Sequence, residues 1–321
     1  MLLSRRKTMC LLGAASAAGL AGWPLPAVAR EWTSAHFAGN PLVGQVFDQN
    51  GKSDVSLEAL KDKAAASRYV MLGEIHPNPD HHLLQAEFLD HMVAKGRKPA
   101  VVFEMLTRAE QPVLDKLMAS PSIEPGTIAQ RLNWNASGWP DFAMYQPLFE
   151  TALKNGLRLQ AGNLEKSTVR RLGGRVGSKL SDAERATLGL DKPLPEAAGK
   201  AMLEVIRTSH CNMLPDTVLP FMRDIQRARD LVMAAAMLDD ANTDGAVLIC
   251  GSGHARLDWG AGYLVERDAP GKLLSIAFSE VYSDMASDIP AHDGHHFTVL
   301  TPKQDVTDHC AAFKQRKSVP N

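Results

Sequence analysis

Short apolar runs alternate with stretches of helical periodicity along most of this chain. Tyr69-Val-Met-Leu72 is continuously apolar and reads as a strand buried on both faces. It breaks at Gly73 into a turn carrying Glu74, His76, His81 and His82. Over residues 82–95, Leu83, Leu84, Phe88, Leu89 and Met92 recur at helical spacing, and Gly96 stops the helix. Pro99-Ala-Val-Val-Phe-Glu104 is a second buried strand, again ending in a carboxylate. Residues 109–118, 123–132 and 142–154 read as helices, 134–140 as a loop, and 157–161 as a third strand. Upstream, residues 44–51 read as a short strand closed by an Asn-Gly turn, and Ser56 is placed to cap a helix. From Glu165 to about Gly199 the periodicity weakens around Gly173, Gly174, Gly177, Pro193 and Pro195. A helical insertion over about 165–242 is expected there, ending in a clear helix over 221–238. Strands follow at 246–250, 272–278 and 296–300. This order predicts an α/β fold, a mainly parallel β-sheet core flanked by helices with a helical insertion subdomain, in a single domain over residues 40–302.

The segment Gly245-Ala-Val-Leu-Ile-Cys-Gly-Ser-Gly-His-Ala-Arg256 repeats the grammar of the first turn: an apolar strand, glycines, then a histidine. Both turns fit Gly-x-x-His, as Gly73/His76 and Gly251/His254. Open α/β sheets place their sites beyond the carboxyl ends of strands. Adjacent strands would therefore bring His76 and His254 to one rim.

Composition changes this picture little. The chain has 321 residues, 45% hydrophobic and 22% charged, ordinary for a globular protein. The N-terminus differs. Ser4-Arg5-Arg6-Lys7 is a basic head, residues 9–20 form a short apolar run, and Ala27-Val28-Ala29 is a small-x-small cleavage site. Residues 1–29 thus read as an export signal, and the Arg5-Arg6 pair suits the twin-arginine route. Cys10 lacks small residues before it, so a lipid anchor is not expected and a periplasmic location is. Removing residues 1–29 takes away three of 35 basic residues and none of 36 acidic ones, so the net charge passes from −1 to −4. Nothing there invites nucleic acid. Cys211, Cys250 and Cys310 remain. Cys250 reads as an inert core residue, and Cys211 and Cys310 could pair.

Glu74, His76 and His82 could bind a metal or work as acid and base, or could cap a helix and satisfy turn amides. Glu104 must find a partner, such as Arg229 or Arg256, or have a raised pKa, because an unpaired buried charge is costly. Arg229 and Asp230 lie on a mostly apolar helix and could pair with each other or with groups at the strand ends. Trp134, Trp139, Phe142 and Tyr145 cluster, either as core or as a platform for a flat ring, and a Tyr phenolate can ligate haem iron. His210, beside Cys211, matches no zinc spacing. His292, His295 and His296 read as incidental solvated groups. There is no Walker loop, nucleophile elbow or dinucleotide-binding Gly-x-Gly-x-x-Gly.

Several of these segments together resemble the ChaN-like haem-binding proteins. They are Val70-Met-Leu-Gly-Glu-Ile-His-Pro-Asn-Pro-Asp-His-His-Leu-Leu-Gln85, Phe103-Glu-Met105 with Gln111, Tyr145-Gln-Pro147, His210-Cys211, Gln226-Arg-Ala-Arg-Asp230 and Gly251-Ser-Gly-His254. The wider group includes the Tiki proteases, TraB proteins and erythromycin esterases. The resemblance implies a periplasmic protein of iron or haem uptake, with haem held at a homodimer interface and uptake components of the membrane or outer membrane as further partners. Tyr145 and His210 would be its haem ligands. It also implies an alternative, a metal-dependent esterase or peptidase. Its core would be Glu74, His76, Glu104, Arg229, Asp230 and His254, with Mn or Zn on His76 and His254.

Overall fold

Every residue of the run Tyr69–Glu74 is buried, and its alternate side chains enter different cores. Val70 and Leu72 face one cluster, Tyr69 and Met71 the other. A strand covered on both faces needs apolar residues at every position, which is why it reads as a continuous run rather than an alternation.

The computed structural model describes residues 30–311 apart from 51, 54, 121–122, 174–178, 284, 286–293 and 309. The expected export signal, the glycine of the Asn-Gly turn and His292 lie outside the described residues. From Trp32 onward the chain forms one body. In chain order its elements are β1 (Val46–Asp48), α1 (Leu57–Ala66), β2 (Tyr69–Glu74), α2 (Pro79–Ala94), β3 (Ala100–Thr107), α3 (Gln111–Met118), α4 (Pro125–Arg131), α5 (Phe142–Lys154), β4 (Leu159–Asn163), α6 (Lys166–Leu172), α7 (Asp182–Thr187), α8 (Glu196–Ser209), α9 (Leu219–Met237), β5 (Ala246–Gly251), α10 (Ala261–Asp268), β6 (Leu273–Glu280) and β7 (Phe297–Thr301).

The strands form one sheet in the order β1-β7-β6-β2-β5-β3-β4. All its neighbours run parallel except β1 against β7. Leu84, Phe88 and Leu89 of α2 and Leu148 and Phe149 of α5 pack on one face. Met233 and Met237 of α9 and Leu264 and Val265 of α10 pack on the other. The expected mainly parallel sheet with helices on both faces is therefore present. Residues 166–209 add three shorter helices, and α9 itself lies on the sheet. Among the described residues no helix is long and apolar enough to cross a membrane. Cys250 is buried and unbonded, while Cys211 and Cys310 are joined.

Two expectations need correction. His81 and His82 are not turn residues, because α2 begins at Pro79, whose fixed φ suits a first helical position. The Asn78 side chain caps it by accepting the Asp80 N–H at 3.0 Å. His295 and His296 are not incidental solvated groups either. His295 is buried and its Nε2 lies 3.0 Å from the Ser252 carbonyl, within the second Gly-x-x-His turn. His296 Nδ1 accepts the Ser275 N–H at 3.0 Å.

Candidate functional site

Parallel pairing sets the site. β2 lies beside β5 in a register that opposes Glu74 to Gly251, so the two Gly-x-x-His turns leave the sheet side by side. They interlock through their glycines. A methyl on Gly73 would sit 2.8 Å from the Ser252 Cα, and a methyl on Gly251 would sit 3.0 Å from the His76 Nε2. Each glycine makes room for the other turn.

Around β2, the buried Glu74 carboxylate gathers four partners. The Tyr145 hydroxyl donates to Oε1 at 2.8 Å, and His76 Nδ1 lies 2.8 Å from the same oxygen. Gln85 donates to Oε2 at 2.7 Å, and His82 Nδ1 lies 3.2 Å from it. Burial works against the charge, but the His82 and His76 rings outweigh it and hold Glu74 down at about 2. Burial opposes charging of His76 too, yet its bond to Glu74 raises it. The His76 ring is the part of this group that reaches out, with its side chain 31% exposed. It stands edge-on to Trp139, ring centres 5.0 Å apart.

The second half is built on β3, β5 and α9. Glu104 points into the rim before its strand ends, since β3 continues to Thr107 past a register shift. Its carboxylate accepts from Arg229 and, at 2.7 Å, from the Gly251 N–H. His254 lies between two acids, with Nε2 3.4 Å from Glu104 and Nδ1 2.6 Å from Asp230. Gln226 adds a contact at 2.9 Å to His254 Nδ1. Arg229 therefore pairs with Glu104, and Asp230 with His254, rather than with each other. Asn163, at the carboxyl end of β4, accepts from Arg229 at 3.1 Å and donates to the Glu104 carbonyl at 2.7 Å. Sequence reasoning missed Asn163, although it ends a buried strand as Glu74 does.

The structure thus unites Glu74, His76, Glu104, Arg229, Asp230, His254 and Tyr145. It does not bring His210 into this network. The Tyr145 hydroxyl, expected to ligate iron, is committed to Glu74 here. It is fully buried, and burial together with the neighbouring Glu74 charge holds its proton well above the ordinary phenol range. The metal alternative finds no support. Among the described residues no group of three or more His, Cys, Asp or Glu is placed to hold an ion. Both nitrogens of His254 are already engaged by carboxylates.

Beside the rim opens a cavity of about 760 Å³, whose lining includes Met105, Trp139, Lys166, Arg170 and Arg229. It offers cations and an aromatic wall next to the carboxylate–imidazole pairs.

Burial would lower the basicity of His254, but Glu104 and Asp230 lift it to about 9 from an ordinary 6.5. The folded state therefore holds this proton more tightly than the unfolded chain. Its contribution is complete below about pH 6.5 and is lost as pH rises through 9, on the order of 3 kcal/mol in all. Melting temperature should fall over that window, and the fall should flatten in His254→Gln. An unchanged slope in the variant would refute this.

Known proteins share this fold. A family model described as haem-binding uptake, Tiki superfamily, ChaN matches residues 60–265. The chain is similar to a structure of ChaN of Campylobacter jejuni with cofacial haem binding, at 18% identity and a TM-score of 0.62, over 79% of this chain and 95% of that one. It is more remotely similar to a histidine variant of the erythromycin esterase EreC in its open conformation. There the identity is 12% and the TM-score 0.40, over 85% of this chain and 87% of that one. No curated protein matches.

Proposed function

Because the chain belongs to the ChaN family of haem-binding uptake proteins in the Tiki superfamily, we propose that it captures haem in the periplasm for uptake, with His210 ligating the iron. The observation that carries this is the state of the His210 ring. It follows α8 as the C-cap residue and is half-buried. Its Nδ1 lies 2.7 Å from the Ile206 carbonyl, which can only accept. Nδ1 therefore donates there, and Nε2 has no partner among the described residues. A second-atom hydrogen bond of this kind is what fixes the tautomer of ligating histidines. The Cys211–Cys310 bond fastens the turn that carries it.

Haem also needs an apolar surface. Val205 on α8 and Phe221 on α9 are exposed, at 39% and 38%. A half-exposed ligand on an outer helix suits haem shared between two copies of this chain, the homodimer arrangement in which cofacial haems would stack. Bound haem would supply the iron and its ligand-sensitive absorption. The protein's part is to hold the imidazole oriented and open.

Haemin titration tests this. Wild type should show a saturable shift of the Soret band. His210→Ala should weaken binding about 10- to 100-fold. Tyr145→Phe should keep the wild-type spectrum, since its hydroxyl serves Glu74. The absence of a saturable shift in wild type would remove the haem reading, and a normal spectrum in His210→Ala would remove the ligand.

A second reading rests on His76. It is the exposed imidazole of the strand-end core, it is paired with a buried carboxylate, and it touches the wall of the large cavity through Trp139. That arrangement suits acid–base hydrolysis of an ester or peptide without a metal. Hydrolysis by wild type that disappears in His76→Ala would support it, and no turnover of either substrate class would end it.

A further inference from the structure

On the far side of α9 from the large cavity lies a smaller one of about 130 Å³, between α9, α10 and the loop before α8. Gly189, Leu194, Leu231 and Leu264 give it apolar walls. Two of its lining residues carry a buried polar atom without a partner: the Asp230 Oδ2 and the Trp259 Nε1. One can only donate and the other is a carboxylate acceptor, so they cannot be leftovers of one kind. Buried polar atoms almost always have a partner in protein, water or ligand. Asp230 is 1% exposed and Trp259 2%, so neither atom is served by bulk solvent.

A third group sharpens the chemistry. Arg227 also lines the cavity and is 9% exposed. It donates to the Lys192 carbonyl, and among the described residues it makes no ion pair. Five donors on a guanidinium leave most of this fork uncommitted. Asp224 and Asp230 favour its charge from a distance, but water filling the cavity would give the fork no planar acceptor. A planar carboxylate matches the fork.

We propose that this cavity binds a small 2-hydroxy or 2-amino carboxylate. The ligand carboxylate would lie on Arg227 and the Trp259 N–H, and its hydroxyl or ammonium would donate to Asp230 Oδ2. The size agrees, because a cavity of about 150 Å³ accommodates benzene, and the smallest such acids have a similar number of heavy atoms. The site is separate from the proposed haem ligand. It is joined to the strand-end core, since the other Asp230 oxygen holds His254 at 2.6 Å.

The indole N–H gives a direct reading. Full-length mature protein labelled with nitrogen-15 at tryptophan should show a Trp259 indole resonance, assigned by its loss in Trp259→Phe. L-lactate or L-alanine should shift that resonance saturably, with a Kd of about 1 mM or tighter. Acetate lacks the donor for Asp230 and should bind at least tenfold more weakly. Arg227→Met should abolish the shift. The proposal is overturned if neither acid shifts the resonance saturably up to about 50 mM. It is overturned too if acetate matches lactate, which would leave an anion pocket only. The comparison of acids on wild type stands even if the Arg227 variant fails to fold.

Discussion

Glu104→Ala is expected to cost about 3–5 kcal/mol of stability, the usual loss when one partner of a buried ion pair is removed. Glu104 is 1% exposed and serves three groups on three elements: Arg229 of α9, the Gly251 N–H at the end of β5, and His254 in the following turn. Alanine would leave the guanidinium without its counter-charge and the amide without an acceptor. It would also leave His254 with Asp230 alone. Burial opposes the Glu104 charge, but His254 and Arg229 hold its carboxyl well below the ordinary range, so it is ionised throughout the neutral region. Glu104→Gln keeps the shape and the amide contact, and should lose less than alanine does. Denaturant unfolding of the two variants and wild type measures the difference. A loss below about 1 kcal/mol for alanine, the scale of an exposed pair, would show that the charge is not buried in solution.

Gly73→Ala is expected to lose about 3 kcal/mol, the upper end of overpacking in a rigid core. The added methyl would lie 2.8 Å from the Ser252 Cα and 3.1 Å from the Ala255 Cβ. The first of these is backbone and cannot rotate away. Relief requires the second turn to lift off the first, which also pulls on the Ser252 N–H bond to the Glu74 carbonyl at 2.9 Å. Gly251→Ala makes a useful contrast. There the methyl meets the His76 ring at 3.0 Å, a side chain that can swing outward. It should cost about 1 kcal/mol while displacing His76. Gly39→Ala meets nothing within 4 Å and should stay within about 0.5 kcal/mol of wild type. Thermal melts of the three variants test the ranking. Equal losses at positions 73 and 39 would contradict the interlocked turns.

Tyr69–Leu72 and Ala246–Cys250 were readable as strands because a doubly covered strand must be apolar at every position, while Glu74, read as a turn residue, ends its strand. The placement of His76 and His254 on one rim followed from two like motifs and a parallel sheet. The family was legible in its short motifs. The fate of Tyr145 was not. Its helix was read over the right residues, but helical spacing says only which side chains share a face, not what waits opposite. What waits is Glu74, 71 positions away, and the Tyr145 hydroxyl donates to it. His295 was misjudged for the same reason, since its partner Ser252 is 43 positions off.

The sequence by itself therefore determined the strands, most of the helices and the ionisable residues at the carboxyl ends. Those follow from local periodicity and from the rule that apolar runs are buried. Only the tertiary structure decided which acid each base meets, which glycine yields to which turn, and that Asp230 faces a second cavity. Each of these depends on strand order, with β5 inserted between β2 and β3. That order arises from how whole layers bury their apolar faces, which no local pattern in the chain records.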